Sequence, residues 1–131
     1  MLTTLNNTLC PCGSSKPYAG CCGLYLDGNE IPATAETLMR SRYTAYTLHN
    51  EDYLLATWHP STRPAQLGLA DEANQKWLGL QVKRQEQQDA EHATVEFVAR
   101  YKVGGRAHRM HEVSRFVHEE GRWFYVSGNV N

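Results

Sequence analysis

All four cysteines of this chain fall inside one short stretch, Cys10-Pro11-Cys12-Gly13-Ser14-Ser15-Lys16-Pro17-Tyr18-Ala19-Gly20-Cys21-Cys22-Gly23. The pattern is C-x-C-x8-C-C, two close pairs joined by a loop rich in Gly, Ser and Pro. Four soft thiolates on two short segments suit zinc, which takes a tetrahedral set of sulfur ligands. Gly13, Gly20 and Gly23 open backbone angles closed to other residues, while Pro11 and Pro17 stiffen the turns. Backbone N–H groups from Gly13 to Lys16 would support the sulfurs as donors. Lys16 would offset part of the negative charge of a four-thiolate site. The loop is too small to build a core, so its folding would draw on metal binding, worth on the order of 10 kcal/mol in zinc-finger peptides.

Disulfides are the competing chemistry. Adjacent Cys21 and Cys22 bridge only through a strained ring, and Cys10 with Cys12 is nearly as awkward. Crossed pairs, Cys10 with Cys21 and Cys12 with Cys22, stay open and would suit an oxidising compartment. A redox or catalytic thiol is a third reading, with no C-x-x-C and no nearby acid–base partner behind it. The start Met1-Leu2-Thr3-Thr4-Leu5-Asn6-Asn7 lacks the basic and then apolar region of a secretory signal. Cytoplasm is therefore the expected compartment, and it suits reduced, metal-bound cysteines.

Composition excludes some functions. The 131 residues suit one compact domain with a small appendage. A formal net charge of -1 argues against a dedicated nucleic-acid binder, which carries a basic excess. No apolar run approaches the length of a membrane span.

The cysteine stretch resembles the SEC-C zinc motif, found at the C-terminal end of the translocation ATPase SecA and in many small bacterial proteins. The family pattern is close to C-P-C-G-S-G-K-K-Y-K-x-C-C/H-G. Here Ser15 stands where Gly is usual, and Pro17, Ala19 and Gly20 stand where lysines are frequent. The resemblance implies zinc held by Cys10, Cys12, Cys21 and Cys22. It also implies a protein partner at the knuckle, since the SecA tail contacts SecB and the ribosome. The basic character used for that contact is reduced here to Lys16.

Beyond the knuckle, Leu24 to Pro32 reads as a linker with a turn at Asp27-Gly28-Asn29. Thr34 caps a helix running to about Leu48, with Leu38, Met39, Arg42, Tyr43 and Tyr46 on its buried face. Asn50 caps a second helix, from Glu51 to about Trp58, which Pro60 ends. A short helix is expected within Ala65 to Trp77, of about two turns from Asp71. From Leu78 the period becomes two: Leu78, Leu80 and Val82 begin a strand to about Gln87. Strands then span Ala93 to Val103, Arg106 to His118 and Arg122 to Ser127, with two-residue turns at Gly104-Gly105 and Glu120-Gly121. Helices first and antiparallel strands later give an α+β class, a curved sheet packed against N-terminal helices.

Three further stretches carry a second resemblance: Ala35 to Tyr43, Thr57 to Arg63, and His111 to Phe116 with Gly121 to Tyr125. Together with the knuckle they resemble the bacterial YchJ-like family. That resemblance implies a nuclear-transport-factor-2-like, or cystatin-like, cone over residues 33–131, preceded by a zinc knuckle and linker over residues 1–28.

The turns set a register. Tyr101 faces His108, Phe97 faces Glu112, Val95 faces Ser114 and Phe116 faces Tyr125. One sheet face then carries Phe97, Tyr101, Met110, Phe116, Trp123 and Tyr125 among His108, Glu112 and Ser114. The other carries Val98, His111, Val113, Arg115, Phe124 and Val126. Both are partly apolar, so either could meet the helices. Candidate pocket residues are Trp58, His59, Tyr101, His108, His111, Glu112, Arg115 and Tyr125, which could bind a small molecule in the cone or do acid–base work. The structural alternative has Glu112 paired with Arg42 or Arg115, the histidines satisfying backbone groups, and the aromatics as core. The leading expectation is a small cytoplasmic zinc protein acting as a binding or adaptor module. A hydrolase or isomerase in the cone is the alternative, and a SecA-tail-like chaperone or ribosome-associated factor is another.

Overall fold

The computed structural model describes residues 8–68 and 75–130. After a 3₁₀ turn at Tyr18–Gly20 come α1 (Gly23–Leu26), α2 (Ala35–Thr47) and α3 (Glu51–Ala56). Four strands follow: β1 (Gln75–Gln87), β2 (His92–Val103), β3 (Arg106–Glu119) and β4 (Arg122–Val130). They form one antiparallel sheet in the order β1-β2-β3-β4. No helix among the described residues is long and apolar enough to cross a membrane.

The helices start where their caps predict. Thr34 Oγ1 accepts the Thr37 backbone N–H at 3.1 Å, and Asn50 Oδ1 accepts that of Tyr53 at 3.1 Å. Glu36 sits in the first turn of α2 and pairs with Arg40 one turn on. Within the expected linker, Gly23–Leu26 closes one helical turn. α3 stops two residues short of Trp58 because β4 captures the chain. Thr57 O accepts the Tyr125 N–H, and Tyr125 O accepts the His59 N–H, at 2.9 and 2.8 Å.

Both turn registers hold. Val103 pairs with Arg106, Tyr101 with His108, Phe97 with Glu112 and Phe116 with Tyr125. β1 departs from expectation at its start. Its first residues, Gln75 to Trp77, are strand where helix was expected, and the rest of that expected helix lies outside the described residues. A bulge at Leu78 then breaks the assumed alternation, leaving that side chain 52% exposed. The extra residue puts Trp77, Leu80 and Val82 on one face, opposite Tyr101, Ala99 and Phe97. β4 also runs on to Val130, pairing there with Glu112.

The face bearing Phe97, Phe116 and Trp123 meets the helices. Its buried side chains join Leu38, Met39 and Tyr43 of α2 in one cluster. Cys10, Cys12, Tyr18 and Cys22 belong to that same cluster. The knuckle therefore shares the main core and is not a satellite of it. Two contacts fasten it. Arg40 Nη1 donates to Cys12 O at 2.8 Å, and Cys10 Sγ lies 3.6 Å from Thr44 Oγ1.

Candidate metal centre and cavity

The loop brings four sulfurs together. Cys10 N–H donates to Lys16 O at 2.8 Å, closing the first turn, and Tyr18 N–H donates to Thr8 O at 2.8 Å. Gly13 at φ 83° and Ser15 at φ 69° turn the chain through the left-handed region. Tyr18 fills the loop, its hydroxyl donating to Asp27 Oδ2 at 2.9 Å. The sulfurs of Cys10, Cys12, Cys21 and Cys22 all lie within 4.8 Å of one another. All four cysteines are free, with Cys12 and Cys21 sulfurs 3.6 Å apart.

This spacing fits a metal. Four thiolates about 2.3 Å from a tetrahedral ion stand about 3.8 Å from each other. The thiols are also in electrostatic conflict without one. Hydrogen bonds from Cys12 and Cys22 pull the Cys10 thiol well down, while the bond to Cys10 pushes Cys22 well up. One thiolate is stabilised only by keeping its neighbour protonated. A divalent cation at the centre removes that conflict. Ser14 Oγ lies 3.1 Å from Cys21 Sγ, so a side-chain hydroxyl supports the sulfur where backbone N–H groups were expected; the Gly13 and Lys16 N–H groups donate instead to Cys10 O and Ser14 Oγ. Lys16 is exposed, while Arg40 is held at the loop by its bond to Cys12 O.

A cavity of about 230 Å³ opens between α2 and the inner sheet face. Met39, Tyr43 and Tyr46 recur at helical spacing along one wall, Trp77 packs on Tyr43 and Tyr46, and Phe97, Ala99 and Met110 line the sheet side. Arg42, Glu112, Ser114, Tyr125 and Gln75 supply its polar groups. Arg42 is 2% exposed; its Nη1 donates to Leu54 O at 2.8 Å and Thr57 Oγ1 at 2.7 Å. Its guanidinium carbon lies 4.4 Å from the Tyr125 ring centre and 5.0 Å from that of Trp58. Burial holds this group below its ordinary value. Glu112 Oε2 accepts from Ser114 Oγ at 2.6 Å.

Of the sequence candidates, Glu112 and Tyr125 line this cavity, and Trp58 stands behind Arg42. Tyr101 stacks on exposed His108 towards the hairpin end, its ring 5.3 Å from that of Trp77. The others are elsewhere. His111 Nε2 lies 2.6 Å from Glu96 Oε2, and exposed Arg115 reaches Ser127, both on the outer face. His59 holds Ser61 and Glu119 near the Glu120-Gly121 turn. Strand alternation separates Glu112 from His111 and Arg115. Arg42, Tyr43, Tyr46 and Trp77 were not candidates. The stripe on α2 marked the first three as buried, while the helix assigned across Trp77 concealed the fourth.

The family description "YchJ, middle NTF2-like domain" matches residues 34–128. A UPF0225 protein of Ralstonia nicotianae is 59% identical over 131 residues, covering 92% of this chain and 90% of that one. One from Chromobacterium violaceum is 62% identical over 126 residues, covering 92% of each. The solution structure of a SEC-C motif containing protein from Rhodopseudomonas palustris is similar at TM-score 0.84 and 36% identity, over 93% of this chain and 98% of that one. A SEC-C motif containing protein from Psychrobacter arcticus is similar at TM-score 0.77 and 28% identity, over 98% and 86%. The chain therefore belongs to the YchJ-like UPF0225 family, which joins a SEC-C motif to a nuclear-transport-factor-2-like domain.

Proposed function

We propose that this is a small cytoplasmic zinc protein whose metal is structural and whose work is binding. Convergence of four sulfurs in the core carries the reading. Four protein ligands complete a tetrahedral set, so no position is open for water or substrate at the metal. Zinc is preferred because an all-sulfur tetrahedral set selects it over harder ions. The same ion would tie the N-terminal loop to α2 and β1, since the ligand side chains pack among Leu38, Leu80 and Phe97. The knuckle then has a structural task without the lysines that a SecA-like partner contact uses.

Protein purified without added metal should hold one zinc per chain by elemental analysis. Chelation should lower the unfolding temperature of the whole chain in a single transition, because the sulfurs share its core. A fully folded, metal-free sample with unchanged unfolding temperature would overturn the assignment.

A further inference from the structure

The cavity holds two opposite charges that do not meet. Among the described residues neither Arg42 nor Glu112 takes part in an ion pair. Arg42 is almost wholly buried, and its Nη1 hydrogen bonds end on a carbonyl and a hydroxyl; its charge is offset by the Trp58 and Tyr125 ring faces and, without contact, by Glu112, and no carboxylate touches it. Glu112 accepts from a hydroxyl, equally without a cation. Its position is built. Gly128 lies across from Ser114 on β4, and a methyl group there would collide with the Glu112 carboxylate. Between the charges the walls are apolar and aromatic. The volume, about 230 Å³, falls below the range of about 300–1,000 Å³ that holds drug-sized ligands.

We propose that this cavity binds a small zwitterion of amino-acid size, its carboxylate at Arg42, its ammonium at Glu112 and its apolar body against Trp77, Phe97 and Met110. Such a molecule brings a counter-ion to buried Arg42 and to half-buried Glu112 and adds no net charge to the interior. A monopolar acid or amine would satisfy one end and leave the other unpaired. This extends the reading of the chain as a binding protein and is independent of the metal, so failure here leaves the zinc result standing.

The test compares L-phenylalanine, 3-phenylpropionate and 2-phenylethylamine, which share a ring and differ in headgroup. Each is titrated into the isotope-labelled full chain with its metal and followed by NMR. Phenylalanine should shift cavity-wall signals and bind about tenfold tighter than either analogue, as expected for one additional charged hydrogen bond. Glu112→Gln should reduce phenylalanine to the affinity of 3-phenylpropionate. Gly128→Ala, which keeps both charges but pushes the carboxylate aside, should do the same. Arg42→Lys should weaken the acid more than the amine; if that variant does not fold, the three-ligand comparison and Glu112→Gln decide alone. Equal binding of phenylalanine and an analogue, shifts confined to the outer face, or no binding by any of the three would overturn the proposal.

Discussion

Ser15 holds a backbone angle of φ 69°, in the left-handed region that favours glycine. The SEC-C pattern has glycine at this point, and the loop geometry gives the reason. An L-side chain there costs about 1–2 kcal/mol. Glycine removes that strain but gives part of it back as entropy in the unfolded chain. Ser15→Gly should therefore stabilise the metal-loaded protein by about 1 kcal/mol in denaturant melts, and a loss of stability would show that the Ser15 side chain has a role of its own. Gly13 is different, because a Cβ there would sit 2.9 Å from Leu80 O. The cysteine cluster was legible residue by residue, since thiolate chemistry and spacing are written in the sequence. The cavity was legible only in part. Glu112 and Tyr125 could be placed from register, but the orientation of Arg42 depends on the carbonyl of Leu54 and the ring of Tyr125, which no local pattern connects to it.

At the scale of elements, two-residue turns made β2, β3 and β4 readable, because such turns leave one register available. The inner face could not be chosen in advance, since both faces carry apolar side chains. Burial of Val95, Phe97 and Phe116 against α2 decides it. The bulge at Leu78 was hidden for a related reason. Leu78 and Leu80 look equivalent in a strict alternation, yet one is 52% exposed and the other 9%. Leu78→Ala should change stability by no more than about 0.5 kcal/mol, while Leu80→Ala should cost about 2–3 kcal/mol. Chemical denaturation of both variants checks this, and similar losses would place the bulge elsewhere.

Across the whole molecule, tyrosines from separate layers pack into the interior. Tyr43 of α2, Tyr53 of α3 and Tyr125 of β4 are each pushed up to about 12, first by burial, which disfavours the phenolate. Unfolded, they release their protons near 10. Between those values the folded state binds more protons, so its stability is full below about pH 10 and falls as pH rises towards about 12. The unfolding temperature should hold steady to about pH 9.5 and then drop, with phenolate at Tyr43, Tyr53 and Tyr125, followed by site-resolved NMR, appearing together with loss of the fold. Phenolate forming at these three near pH 10 in a protein that stays folded would contradict this packing.

Three of the cysteines, Cys10, Cys12 and Cys22, are no more than 5% exposed, and Cys21 alone is half-buried. Exchange of an ion held there becomes a question of rate. A competing chelator can approach through Cys21, but the other three sulfurs are buried in one cluster with side chains of α2 and the sheet and are reached when that packing opens. The lifetime of the metal and the lifetime of the native state should then share one clock, so isotopic zinc exchange would time unfolding events too rare for a melting curve to record.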